Sequence, residues 1–187
     1  MIYIEGGVCA AAGYKAAGIN CGIKKGEKKD LALIVSEKRA VTAGIYTQNL
    51  VKGAPITVTK KNISDGYASA IICNSGNANT CNANGIEIAD GMCALVEKHL
   101  GIPACDVAVA STGVIGQPLD LAPISSGMDA LAAALGKSGS GDAAQAIMTT
   151  DTRKKEAAIE FSLGGKPARI GAIAKGSGMI HPNMATM

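Results

Sequence analysis

The chain has 187 residues, 48% hydrophobic and 18% charged, with 18 basic against 15 acidic side chains and a formal charge of +3. That composition excludes a disordered or collagen-like chain, and a near balance of charge with 3% aromatic residues lacks the basic footprint and stacking surfaces of a nucleic-acid binder. Gly, Pro or charge interrupts every apolar run well short of the roughly 20 residues of a membrane helix, and 24 Gly with no Trp predict a core of small side chains packed closely.

Near the start, the basic run Lys24, Lys25, Lys28 and Lys29, with Glu27 among them, reads as a solvated loop. Residues 31–35, 41–47 and 56–59 then read as short strands of an antiparallel meander, the last after Pro55. Residues 68–73 make another apolar strand. It runs into Asn-Ser-Gly-Asn-Ala-Asn at 74–79, a stretch rich in Asn and Gly that reads as a shaped loop. Ile88, Met92, Leu95, Val96 and Leu100 recur at spacings of three and four, which predicts a helix from Ile86 closed by Gly101.

Residues 107–110 read as a buried strand that stops at Ser111-Thr112-Gly113, and a loop from Pro118 leads to an Ala-rich helix at 128–135. Glycines within 136–141 break that helix, Asp142 is placed to cap a short one, and Thr149-Thr150-Asp151-Thr152 opens a polar turn. Strands at 157–163 and 168–174 flank a Gly164-Gly165 hairpin turn and end in Lys175-Gly176-Ser177-Gly178. Strands and helices in this mixed order predict an α+β layered fold formed as one unit over 1–187.

Cys9, Cys21, Cys73, Cys81, Cys93 and Cys105 include no C-x-x-C pair, and no signal peptide is expected ahead of them. They read as reduced thiols of a cytoplasmic protein, packed as small hydrophobes. His99 and His181 stand apart from any ligand-spaced cluster, so no metal site is expected.

Three polar segments follow strand-like runs, at 74–79, 111–113 and 175–178, and strand ends are where scaffolds place chemistry. Lys175 precedes its glycines, the reverse of a phosphate-binding Walker loop, and no helix pattern follows Gly164-Gly165, so nucleotide binding is not expected. The sequence ends in Lys-Gly-Ser-Gly-Met-Ile-His-Pro-Asn-Met-Ala-Thr-Met at 175–187 without polar fraying, and a continuation beyond it is expected.

That final segment, with 74–79, Ser-Thr-Gly-Val-Ile-Gly at 111–116 and Thr-Thr-Asp-Thr at 149–152, resembles the ornithine acetyltransferase (glutamate N-acetyltransferase) family along essentially the whole chain. The resemblance implies a layered αββα fold and an α chain produced by self-cleavage between Ala185 and Thr186. Thr186 becomes the nucleophile, moving acetyl from N-acetyl-L-ornithine to L-glutamate in arginine biosynthesis by a ping-pong route. By the same likeness Thr112 and Gly113 form the oxyanion hole, and Thr149, Lys175 and Thr186 contact substrate. A β chain from the same precursor completes an α2β2 assembly. No metal or organic cofactor is implied, although some members also take acetyl-CoA as donor.

The chemistry suits these residue types. A Thr hydroxyl is a poor nucleophile, but at a new N-terminus its own α-amine, with an ordinary pKa of about 8, can act as base. Thr112 and Gly113 offer a hydroxyl and an unobstructed backbone N–H to a developing oxyanion, and Lys175 can pair with an amino-acid carboxylate. The rival readings are an N-terminal-nucleophile aminopeptidase or amidase that uses water as acceptor, and a non-catalytic subunit whose Gly-rich loops hold a small anion.

Overall fold

The computed structural model describes residues 1–177. Over these residues the order is β1 (Ile2–Ile4), β2 (Tyr14–Ile19), β3 (Leu31–Val41), α1 (Ala54–Asn62), β4 (Tyr67–Asn77), α2 (Gly85–Leu100), β5 (Val107–Val114), α3 (Leu121–Ala133), α4 (Ser140–Ala146), β6 (Lys155–Leu163) and β7 (Lys166–Ala174). Short 3-10 turns at Gly7–Ala10 and Ala104–Asp106 complete it.

The larger sheet runs β2-β3-β4-β5, antiparallel until β4 meets β5 in parallel. A parallel pair needs a long crossover, and α2 supplies it. Its buried stripe of Ile88, Met92, Leu95 and Val96 follows the predicted periodicity, and Gly101 ends it in the left-handed region. Leu31, Leu33, Ile72 and Val107 on the strands meet Val58, Met92, Ile124, Met128 and Leu131 on α1, α2 and α3. Each such burial contributes about 1.5–3 kcal/mol. At the sheet edge Thr59 Oγ1 donates to the Val109 carbonyl (2.7 Å) and accepts from its N–H (2.8 Å), fixing α1 to β5.

The opposite face of this sheet is lined by Ala16 and Ala32, which pack on Ala143 and Ala146 of α4. Here the small-residue composition acts directly. A Cβ on Gly139 would lie 1.8 Å from the Ala16 carbonyl oxygen, so backbone packs on backbone. Beyond α4 lies the antiparallel sheet β1-β6-β7. Ser140 Oγ accepts from Val8 N (3.0 Å) and donates to Glu156 Oε2 (3.0 Å), locking the 7–10 turn, α4 and β6 together. Strand alternation and register place Tyr3, Ile159, Phe161, Leu163 and Ile170 on the far side of this sheet.

The mixed α/β layering expected from the sequence is present, with local differences. Residues 56–59 are helical in α1, not a strand: Pro55 sits in the first turn, where its missing N–H costs nothing, and Lys60 and Lys61 complement the dipole of the last turn. Of the stretch expected as a strand at 41–47, only Val41 is in one, as the last residue of β3. Residues 74–77 continue β4 and 111–114 continue β5, because the parallel register runs on to Gly76 opposite Gly113. The turn comes later, where Asn79 and Cys81 have φ of 47° and 60°. Helix α3 starts at Leu121, capped by Asp120 Oδ1 accepting from Ala122 N (2.9 Å), and Asp142 lies within the first turn of α4, whose cap is Gly139. Of the six unpaired cysteines Cys93 is buried and Cys9, Cys21 and Cys73 are half-buried, while Cys81 and Cys105, in connecting turns, are exposed.

Candidate active site

Thr112 and Gly113 lie near the C-terminal end of β5, beside the corresponding end of β4. Thr112 pairs with Ser75 and shares a sheet side with Cys73, while the Ser75 hydroxyl donates to the Ala146 carbonyl of α4. Gly113 has φ of 135°, and a Cβ there would stand 2.3 Å from the Gly76 carbonyl carbon. Only glycine fits this approach.

The Asn-rich segment holds this end of the sheet in shape, which goes beyond an ordered turn satisfying its own backbone. Asn77 Nδ2 donates to the carbonyls of Gln117 (3.0 Å) and Pro118 (3.2 Å), and its Oδ1 accepts from Asn79 N (2.8 Å). Asn79 Nδ2 donates to Gly85 O (2.9 Å), the first residue of α2. The turn after Thr112-Gly113 is therefore tied to β4 by side chains that are themselves buried.

Thr149 and Lys175, far apart in sequence, meet through Asp151. Its Oδ2 accepts from Thr149 N (3.2 Å) and its Oδ1 from Gly176 N (2.5 Å) and Lys155 Nζ (2.8 Å). Lys175 Nζ stands 3.7 Å from Oδ2, and the Asp151 side chain is 1% exposed. Burial pushes this carboxyl up, but the Lys155 ammonium, the two N–H donors and the Lys175 charge outweigh it and hold the group well below the usual carboxylate range.

Lys24 bridges the two groups and corrects the reading of its basic run as a solvated loop. Lys25 and Lys28 are exposed, but Lys24 Nζ turns inward and donates to Met148 O (2.6 Å) and Lys29 O (2.9 Å). Its backbone N–H and that of Cys21 donate to the two oxygens of buried Asp30, whose carbonyl accepts from Ser75 N (2.8 Å). Lys24 also passes Gly76, its Cγ 3.1 Å from where a Cβ would be. Burial lowers its pKa. Burial also pushes the Cys73 thiol up to about 12, with the Lys24 and Lys175 charges drawing it the other way.

An open cleft of about 420 Å³ is lined by Lys24, Gln145, Met148, Thr149, Asp151 and Lys154 among others, whereas Thr112, Gly113 and Lys175 do not line it. The structure thus joins Thr149 and Lys175 through Asp151, and links Thr112 and Gly113 to them through Gly76 and Lys24. Ala185, Thr186 and His181 lie outside the described residues. Among the described residues no group of three His, Cys, Asp or Glu is placed to hold a metal ion, and no helix is long and apolar enough to cross a membrane. Sequence reasoning gave no role to Asp151 or Lys24. Their partners are remote in the chain, and the one local signal was an Asp set within a Thr-rich turn.

These observations define a mixed α/β chain with a constrained Thr-Gly strand end and an enclosed aspartate, in ion-pair reach of Lys175, bordering a cleft. The ArgJ family model matches residues 15–187, and the chain belongs to that family. It is 50% identical to the arginine biosynthesis bifunctional protein ArgJ of Symbiobacterium thermophilum over 100% of this chain and 47% of that protein. With the protein of the same name from Gloeobacter violaceus it shares 48% identity over 99% of this chain and 46% of that protein. The chain thus spans about half the length of these curated relatives. The crystal structure of the arginine biosynthesis bifunctional protein argJ of Bacillus halodurans superposes with a TM-score of 0.90 at 40% identity, over 97% of this chain and 96% of that one. Ornithine acetyltransferase of Mycobacterium tuberculosis, crystallised with ornithine, gives 0.90 at 35% identity, over 97% of each chain.

Proposed function

We propose that this chain is the α part of an ornithine acetyltransferase of arginine biosynthesis, moving acetyl from N-acetyl-L-ornithine to L-glutamate. The observation that carries the reading is the match, over 97% of both chains, to an ornithine acetyltransferase crystallised with ornithine. The Thr186 hydroxyl first attacks the Ala185 carbonyl, shifting the acyl group from N to O. Water then hydrolyses that ester, leaving an Ala185 carboxylate and a free Thr186 amine. The amine next accepts the hydroxyl proton as Oγ attacks the acetyl carbonyl, and ornithine leaves with that proton. Glutamate's amine takes the acetyl group from Thr186 and regenerates the hydroxyl.

Thr112 and Gly113 are the oxyanion donors in both reactions, each such donor being worth about 3–4 kcal/mol. Thr149 and Lys175 receive the α-carboxylate that N-acetylornithine and glutamate have in common. The rest of the precursor is a β chain completing an α2β2 enzyme in the cytoplasm, which needs no metal or organic cofactor and admits acetyl-CoA as an additional donor. Two features support a two-chain enzyme. The matched chains of the solved structures have about this chain's extent, whereas the curated relatives are about twice as long. The apolar side of the β1-β6-β7 sheet also offers a partner surface.

The test is the intact mass of protein expressed from the full precursor, wild type beside Thr186→Ala, with acetyl transfer assayed on each. Two wild-type fragments meeting between Ala185 and Thr186, and a single inactive mutant chain, are expected. An uncut but active wild type overturns the mechanism, and N-acetylornithine turnover without glutamate would identify a hydrolase.

A further inference from the structure

Asp151 has the environment of a structural keystone placed at a site. A solvated turn aspartate accepts from its own neighbours, whereas this one is almost fully enclosed and gathers donors from three segments: the 149–152 turn, the start of β6 and the residue after Lys175. Its cations are unequal. Lys155 is in contact at 2.8 Å and also donates to Arg153 O, so it is committed. Lys175 stands off at 3.7 Å and, among the described residues, donates to the carbonyl of adjacent Gly176 (3.1 Å). One carboxylate therefore faces two ammonium groups, and the surplus positive charge resides on the lysine with the looser contacts. An incoming carboxylate would neutralise that surplus without displacing a tight ion pair.

Building on the acetyltransferase reading, we infer that Asp151 is a positioning residue. It sets Thr149 and Lys175 in register for a substrate α-carboxylate, while Lys155 occupies Asp151 and leaves Lys175 available. Asp151 itself does not touch the substrate. Its loss releases the 149–152 turn from the segment after β7, and loss of Lys155 lets Lys175 collapse onto Asp151.

The experiment uses the complete, processed enzyme, with active chain counted by intact mass. KM and kcat for N-acetylornithine and glutamate are compared among wild type, Asp151→Asn and Lys155→Met. Asp151→Asn is expected to raise KM for both substrates roughly tenfold or more while kcat per cleaved chain stays within about threefold, and Lys155→Met to raise KM about three- to tenfold. A carboxylate that only supported the fold would reduce the amount of active protein and leave KM alone. Unchanged KM in Asp151→Asn therefore overturns the inference. If that variant does not fold, unchanged KM in Lys155→Met overturns it instead. Thr186→Ala is assayed in parallel: its inactivity confines a negative result to Asp151, whereas an active Thr186→Ala overturns the underlying acetyltransferase reading.

Discussion

In the four-stranded sheet Leu31, Leu33 and Ile72 point into α1, α2 and α3 and are fully buried, whereas in the three-stranded sheet Leu163 and Ile170 remain 68% and 55% exposed. Both sheets follow the alternation that puts apolar side chains on one side, so the difference lies in what covers that side. The first sheet carries its cover in the same stretch of chain, as α1 and α2 between its strands and α3 just after. The second has α4 on one side and an apolar layer on the other. One region covers its apolar side within the described residues, and the other leaves that side open to solvent.

The sharpest way to break this comparison is to remove a core side chain from the first region. Leu131→Ala should cost about 2–5 kcal/mol, read as a fall in the urea midpoint, and a loss within surface-mutation range would show that the helices are not the cover claimed here. Gly113→Ala should cost about 1–3 kcal/mol through backbone strain, and acetyl transfer should fall further than the stability loss explains. A smaller effect concerns acid. Because the folded Asp151 carboxyl is held below its ordinary value, its stabilising contribution is complete above the unfolded pKa of about 4 and is lost as pH falls towards the folded one. Asp151→Asn should therefore flatten the acid limb of stability below pH ~4, measured by denaturant titration at each pH. Smallest in stability is Ile170→Asp, within about 0.5 kcal/mol for this chain expressed alone, because the side chain already meets water. The same substitution should abolish co-purification with the rest of the precursor, and retained assembly would mean that another surface carries the contact.

Helix α2 was legible because Ile88, Met92, Leu95, Val96 and Gly101 encode stripe and stop within one segment, and the β6–β7 hairpin was legible from Gly164-Gly165 with flanking alternation. Helix α1 was not. Ile56, Thr57, Val58 and Thr59 favour strands locally, and what overrides them is burial of Pro55 and Val58 beneath the helical layer and the bond from Thr59 to β5. Residues 74–77 looked like a loop because Asn seldom lies inside strands, yet the carbonyl that the Asn77 amide satisfies belongs to Gln117, remote along the chain. At the candidate site, Thr112, Gly113, Thr149 and Lys175 were legible through motif likeness. Asp151 and Lys24 were hidden because their roles consist of bonds to Gly176 and Met148, which no local pattern records.

The pairing of Ile2 with Glu160 joins strands made at widely separated moments of synthesis. Strands β2 to β5 and their helices can come together while the ribosome is still at work, but β1 must wait for β6 to emerge. Closing so long a loop is entropically slow, so the clasp between β1 and β6 is expected to be a late event in folding. Lys175 and Gly176 directly follow β7, so the β6–β7 hairpin, whose register sets Lys155 opposite Ala174, brings them to Asp151 without waiting for that clasp.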